Sequence, residues 1–334
     1  MQKLISKNEK IFIAGANGMV GSAINKALIK KGYGNQKKGG FILSPNREDL
    51  DLQNQKDVFD WFRKNKPSVV VICAAKVGGI MANSNNQYEF LIENLKIQTN
   101  IIEASFLNMA KRLLFLGSSC IYPKFAPQPI KEEYLLTGPL EKTNEAYALA
   151  KISGIKLCEK LRYQHGFDVI SVMPTNLYGP KDKYDELNSH VLPALIRRFH
   201  EAKEKNKEFV HCWGTGNPLR EFLHVDDLAQ ACIFLLENWS PKYETSEKEA
   251  NLNYLNIGSY DEISIRELAE KISNIVQYKG DIIWDTRKPD GTPRKKLDIS
   301  KIKALGWEPK IDLDTGLKNT YINFIDENIP YTKR

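Results

Sequence analysis

One stretch, IFIAGANGMVGSAI over residues 11–24, constrains the fold more than any other: an apolar run meets Gly15, Gly18 and Gly21, and helical spacing follows at once. In such a strand-turn-helix the first glycine permits a tight bend, the second lets backbone approach a pyrophosphate, and the third lets helix and strand pack closely. The phosphates then rest on a helix N-terminus, where unpaired N–H groups and the helix dipole favour anions. The glycines here depart from G-x-G-x-x-G, but the strand-turn-helix context is that of a dinucleotide site. The expected cofactor contacts are therefore Gly15, Asn17, Gly18, Met19, Val20 and Gly21.

The rest of the first half fits that frame. Buried-strand patterns at KIFIAGANG, GFILS, SVVVICAA, RLLFLGSS and DVISVMPTNLYGP alternate with helical patterns at GSAINKALIKKGYG, QKDVFDWFRKNKP, EFLIENLKIQTNIIEASFLNMA and EAYALAKISGIKLCEKLRYQHG. This alternation predicts βαβ units, hence an α/β fold with a Rossmann-type doubly wound parallel sheet. Past Pro180 the pattern loosens into a loop, a basic helix, then a turn, strand and helix over FVHCWGTGNPLREFLHVDDLAQACIFLLENW. The last quarter holds YLNIGS, the helix SIRELAEKISNIV and a segment rich in turn signals. At 334 residues the chain exceeds the size at which a single core stops growing. We expect residues 1–178 plus about 221–260 to form the dinucleotide-binding domain. About 179–220 plus 261–334 would form a smaller, interleaved α/β domain.

Composition excludes several classes. No apolar run approaches the roughly 18 residues of a membrane span, and the basic start MQKLISKNEK leads into a strand without a cleavage-site pattern. Five cysteines, odd in number and widely spaced without C-x-x-C, argue against a disulfide framework or structural zinc and suit a reducing cytoplasm. The histidines show no metal-ligand spacing, and no metal is expected. The net charge of +7 is scattered in short clusters such as KKGYGNQKK and PRKKL. We read these as a solvated basic surface, suited to small polyanions rather than nucleic acid.

The second strand pattern ends in GFILSPNREDL, with no acidic residue placed to grip the ribose hydroxyl of NAD. Arg47 suits a 2′-phosphate instead, which favours NADP(H); the bland alternative is a surface cation beside Glu48 and Asp49. Further on, Tyr147 and Lys151 stand at i and i+4 of a helical pattern and so share a face. A tyrosine with a pKa near 10 serves poorly at neutral pH, and bringing it down by about 3 units takes roughly 4 kcal/mol of differential interaction. A neighbouring ammonium acts in that direction.

Glycine turn, serine-ended strand and Y-x-x-x-K together resemble the extended short-chain dehydrogenase/reductase superfamily. The resemblance implies that Tyr147 is the general acid or base, that Lys151 lowers its pKa and holds the nicotinamide ribose, and that Ser118 hydrogen-bonds the reacting oxygen. It implies further cofactor contacts at Arg47, Asp51, Leu52, Leu116, Gly117, Ser118, Lys151 and His190, and at Pro174, Asn176 and Leu177 of PTNLYGP.

If the strand stays extended through GSSCI, its period of two turns Ser118 and Cys120 to one side, and a thiol lies beside the substrate. Cysteine and histidine, with ordinary pKa values near 8.5 and 6.5, suit proton exchange at neutral pH. The motifs GSSCIYPK, AAKVGGI, EAYALAKISGIKLCE, SVMPTNLYGP, NSHVLPALIRRFHEA, WGTGNPLREFLHVDDLA and KPDGTPRKKLD resemble the GDP-L-fucose synthase family from about Lys10 to Tyr321. This implies an NADPH-dependent 3,5-epimerase and 4-reductase acting on a GDP-linked 4-keto sugar, with Cys120 and His190 as the epimerising pair. Substrate contacts are implied at Arg198, Trp213, Arg220 and Asp290, and a homodimer through helices near residues 88–108 and 145–163.

The alternative within this branch is a reductase of another GDP-4-keto sugar, such as a heptose, with epimerisation left to a separate enzyme. A 4,6-dehydratase lacks support because SSC offers no acid pair, and intact Ser118, Tyr147 and Lys151 argue against a non-catalytic NADP sensor. Two departures from the family stand out. Asn17 replaces a frequent arginine in the glycine turn, and GYGNQKKGG lengthens the loop before the second strand.

Overall fold

The computed structural model describes residues 3–185, 189–241, 253–288 and 290–326. Its first half runs β1 (Lys10–Ala14), α1 (Met19–Lys30), β2 (Phe41–Leu43), α2 (Gln55–Asn65), β3 (Val69–Ile72), α3 (Ile80–Asn85), α4 (Gln87–Leu107), β4 (Arg112–Leu116), α5 (Glu145–His165) and β5 (Val169–Pro174). There follow β6 (Asn176–Tyr178), α6 (Val191–Glu204), β7 (Phe209–Trp213), β8 (Leu219–His224), α7 (Val225–Asn238), β9 (Tyr254–Ile257), β10 (Glu262–Ser264) and α8 (Ile265–Val276). The described chain ends with β11 (Asp281–Asp285), β12 (Arg294–Lys295), α9 (Ser300–Ala304) and α10 (Leu313–Asp326).

Six parallel strands form the main sheet in the order β2-β1-β3-β4-β5-β9. The fold is α/β, Rossmann-type and doubly wound: α1 packs on α7, while α2, α4 and α5 pack in succession as the other helical layer. Helices on both faces explain why Ile11, Phe12 and Ile13 of β1, and all of β3, are buried without alternation. The strand order reverses between β1 and β3, and in open α/β sheets ligands bind in the crevice beyond the strand ends at such a point. Local sequence sets several boundaries. Asn54 caps α2, Gly166 ends α5 in the left-handed region at φ 66°, and Ser264 and Glu267 close a capping box on α8.

Two strand expectations change. DVISVMPTNLYGP is not one strand: β5 stops at Pro174, and β6 pairs with β8 in a different sheet. Thr175 Oγ1 and Asn176 Nδ2 both donate to the Glu221 carbonyl, which draws the chain across. The segment expected to give one strand before α7 gives two, β7 and β8, around a turn whose Gly214 and Gly216 hold φ near 77° and 79°. β8 lies between β10 and β12, and β7 pairs with β11.

A second core, built from residues such as Leu192, Ile196, Phe199, Leu268, Ile272, Leu317 and Phe324, lies apart from the main one. Leu297, Ile299, Ile302 and Trp307 return to the first core, fastened by a bridge between Leu297 and Ile130. Among the described residues no helix is long and apolar enough to cross a membrane.

Candidate active site

The glycine turn lies at the strand-order reversal. Gly15 holds φ +81°, and a Cβ there would press 2.8 Å from the Ala74 nitrogen; one on Gly21 would run into the Gly15 carbonyl. Gly18 differs: its N–H donates to Gly15 O at 3.1 Å, its φ of −77° suits any residue, and a Cβ would meet only that oxygen, at 3.5 Å. Protein packing thus does not demand glycine at 18. The open space lies before the N-terminus of α1, which has no side-chain cap, so the N–H groups of Met19 and Val20 face it unpaired. Open space, free donors and a helix dipole fit a dinucleotide pyrophosphate.

Past β2, Asn17 Nδ2 donates to Asn46 Oδ1 at 2.8 Å, and the Asn46 N–H donates to Asp49. Asp49 is thereby engaged, while the exposed Arg47 makes no ion pair among the described residues and is free to meet a phosphate. Asp51 caps the Gln53 N–H, and the Leu52 carbonyl accepts from Asn100. The GYGNQKKGG segment forms an exposed short helical turn over Gln36–Lys38.

The strand does not stay extended through GSSCI. β4 ends at Leu116, Gly117 packs against the Met173 side chain, and Ser119–Ile121 coil into a 3-10 turn. Ser118 caps that turn, its Oγ accepting the Cys120 N–H at 3.2 Å. Serine and cysteine are neighbours through a capped turn, not through the pleat.

Lys151, on α5, is buried; its Nζ donates to Leu116 O at 2.8 Å and stands 6.0 Å from the Tyr147 ring centroid. Burial pulls its pKa down to about 8. Tyr147 moves opposite to the sequence expectation: burial pushes the phenol well up, Cys120 adds to this, and only the Ser118 hydroxyl pulls it back. The Lys151 ammonium is engaged by the Leu116 carbonyl, and burial, Cys120 and Ser118 are what act on the Tyr147 phenol. Pro174 ends β5 in the main sheet, and Asn176 and Leu177 open β6, where the chain crosses to β8.

Cys120 Sγ accepts from Lys295 Nζ at 3.3 Å. Burial raises the thiol, but Lys295, the Ser118 hydroxyl and Arg220 outweigh it and bring the pKa below its ordinary value. His190 stands at the N-cap position of α6 without a side-chain cap bond and is exposed; desolvation, Lys295 and Lys183 lower its pKa. One lysine therefore acts on both members of the expected pair, favouring thiolate and neutral imidazole.

Arg198 and Trp213 meet at the end of β7, guanidinium 5.3 Å from the indole, with Lys288 at 5.5 Å from the same ring. Trp213 is 46% exposed, leaving a face for a flat ring between cations. Arg220 lies opposite Lys295 in the β8–β12 pairing, and Asp290 contributes to its field. The Asp290 carboxylate is bound by Thr215, accepting its N–H at 2.9 Å and its hydroxyl at 2.7 Å. Asp290 thus fastens the turn that follows Trp213.

The pattern of the NAD dependent epimerase/dehydratase family matches residues 11–247. The chain belongs to that family. Within it, the chain is 52% identical to a putative GDP-L-fucose synthase 2 of Arabidopsis thaliana, over 99% of this chain and 96% of the relative. It is 48% identical to the GDP-L-fucose synthase of Escherichia coli, covering 95% and 97%. Among solved structures it resembles the GDP-mannoheptose C4 reductase of Campylobacter jejuni with NADP bound, at TM-score 0.85 and 38% identity, covering 96% and 99%.

The residue missed from sequence is Lys295. It sits in PRKKL, read there as part of a solvated surface, and alternation within the segment gives no sign that one lysine of the cluster turns inward. Its presence in KPDGTPRKKLD, among the motifs shared with the family, was the available signal.

Proposed function

We propose that this chain is an NADPH-dependent enzyme that inverts carbons 3 and 5 and reduces carbon 4 of a GDP-4-keto-6-deoxy-mannose-type sugar, giving GDP-L-fucose. The observation that carries this reading is Cys120: a thiol with its pKa lowered by Lys295 at 3.3 Å, one capped turn from the Ser118 hydroxyl. A carbonyl-polarising serine beside a proton-abstracting thiol suits epimerisation next to a ketone. Full-length similarity to GDP-L-fucose synthases supports the same reading.

Ser118 holds the oxygen at carbon 4, and the adjacent C–H bonds are acidified by that ketone. The Cys120 thiolate removes such a proton, and inversion requires a proton to return on the opposite face. That is the duty of His190, which stands on a different element. When bound, NADPH supplies hydride to carbon 4. Tyr147, kept protonated by its burial, donates its proton to the resulting oxyanion while Ser118 continues to hold it. Lys151, anchored on Leu116, presents its ammonium toward the ribose, and Arg47 meets the 2′-phosphate. Arg198, Arg220 and Trp213 receive the diphosphate and the base, with Asp290 bracing the turn beside them. The first core then carries the NADP-binding domain and the second the nucleotide-sugar domain.

The test is incubation with GDP-4-keto-6-deoxy-mannose in heavy water. Wild type should label two sugar carbons; Cys120→Ser should lose the label yet keep NADPH oxidation on an already epimerised substrate. NADPH consumption by wild type without any label would favour the second reading, a GDP-4-keto-heptose reductase, which the likeness to the Campylobacter enzyme supports. Exposed Tyr88, Leu107, Leu149 and Tyr163 on α4 and α5 support a homodimer through those helices. Free cysteines and a working thiol support a cytoplasmic setting.

A further inference from the structure

We propose that Glu221 is a positioning residue for Cys120: its carboxylate fixes β12 against β8 and so sets the reach of Lys295 to the thiol. The inference rests on the reading of Cys120 as a proton-transfer group.

Glu221 is fully buried in the middle of β8, next to Arg220. Its Oε1 accepts the N–H of Ser259 at 2.7 Å and of Tyr260 at 3.2 Å; its Oε2 accepts the N–H of Leu297 at 3.1 Å. Gly258 makes room for it, since a Cβ there would stand 2.8 Å from the Glu221 carboxyl carbon. One carboxylate thus grips two stretches that share no strand or helix. The first is the turn after β9, where Tyr260 holds φ +72°, and the second is the exit of β12.

β12 is only two residues long, and its ladder pairs Arg294 with Leu219 and Lys295 with Arg220. Other ties hold this segment elsewhere. Ile130 and Gln128 bind Lys296 and Asp298 to the loop beyond the active-site turn, and Glu262 of β10 holds the exposed Arg294. The Leu219 N–H binds Pro293 O at the entry of β12, and the Leu297–Glu221 bond clamps the chain just past its exit onto the strand that carries Arg220. A buried carboxylate is costly to desolvate, and an apolar residue would fill the same space without that cost. What the carboxylate adds is three aimed acceptor contacts, and two residues before Leu297 stands Lys295. The groups that face Cys120 are Lys295 from β12, Arg220 from β8, Ser118 from its own turn and Tyr147 from α5. Lys295 depends on β12 for its place, and β12 on Glu221.

The experiment is the pH dependence of Cys120 alkylation by iodoacetamide in the full chain, followed on the Cys120 peptide by mass. The wild-type midpoint should fall below the ordinary thiol value of about 8.5. Lys295→Met should raise it by about one pH unit, and Glu221→Gln, which places an amide among N–H donors, should raise it similarly. The double variant should rise no further than Lys295→Met alone. Glu221→Asp, keeping charge but shortening reach, should fall between. A folded Glu221→Gln with the wild-type midpoint overturns the proposal, as does failure of both Glu221 variants to fold, which would make the residue a core support only. Alkylation needs no turnover. A missing heavy-water label with shifted midpoints therefore refutes the epimerase reading alone, and labelling with unshifted midpoints refutes this one alone.

Discussion

Replacing Gly18 by alanine separates cofactor binding from folding. At Gly18 the new methyl would meet only the Gly15 oxygen at 3.5 Å, and φ −77° suits alanine. Alanine is the poorer N-cap by a few tenths of a kcal/mol or more, whereas the less flexible unfolded chain returns about 0.4–1 kcal/mol, so stability should stay within about 0.5 kcal/mol. The methyl, however, fills the space before the free N–H groups of α1, where a pyrophosphate must approach. A tenfold weaker affinity is a modest expectation, about 1.4 kcal/mol. At NADPH a hundredfold above the wild-type Kd, wild type gains about 2.7 kcal/mol and a tenfold weaker variant about 1.4 kcal/mol, so the ligand-induced rise in Tm should be roughly halved. Gly21→Ala is the counterpart: its methyl would lie 2.7 Å from the Gly15 carbonyl carbon and 2.8 Å from Ala16 Cα, backbone that cannot step aside. It should lose about 1–3 kcal/mol before any ligand is added. Thermal melts with and without NADPH, with fluorescence titration, read both. A Gly18→Ala protein with the full wild-type ligand shift would refute the placement of the pyrophosphate.

Two further outcomes follow from the same geometry. Arg47→Ala should erode the preference for NADPH over NADH, measured as a ratio of dissociation constants, because Asn17 is engaged with Asn46 and offers no second cation; an unchanged ratio refutes the role. Lys151 has its folded pKa down at about 8 against about 10.5 unfolded, so the unfolded chain holds the extra proton between those values. The burial penalty is therefore full below pH 8 and fades as pH rises toward 10.5. The ligand-free stability of wild type relative to Lys151→Met should accordingly rise across that window in denaturant melts; a flat difference would show that the ammonium is not desolvated.

Much of the site was legible in order along the chain. The glycine turn, the alternation of strand and helix, and the i, i+4 spacing of Tyr147 and Lys151 are short-range patterns, written where residues a few positions apart must share a bend or a face. The cysteine was legible as a neighbour of the serine, but for the wrong reason. A 3-10 turn capped by Ser118, rather than strand pleat, joins them, and whether a strand runs one residue further depends on what packs beneath Gly117.

By itself the sequence determined the doubly wound sheet, the dinucleotide turn and the residue types of a ketone reductase, because those depend on local periodicity and on glycines with no substitute. Tertiary structure alone decided the electrostatics. It turned Lys151 onto the Leu116 carbonyl, drew Asn176 across to β8, and brought Lys295 to a thiol that lies 175 residues away in sequence. Charge acts through space and burial, and neither is fixed by distance along the chain.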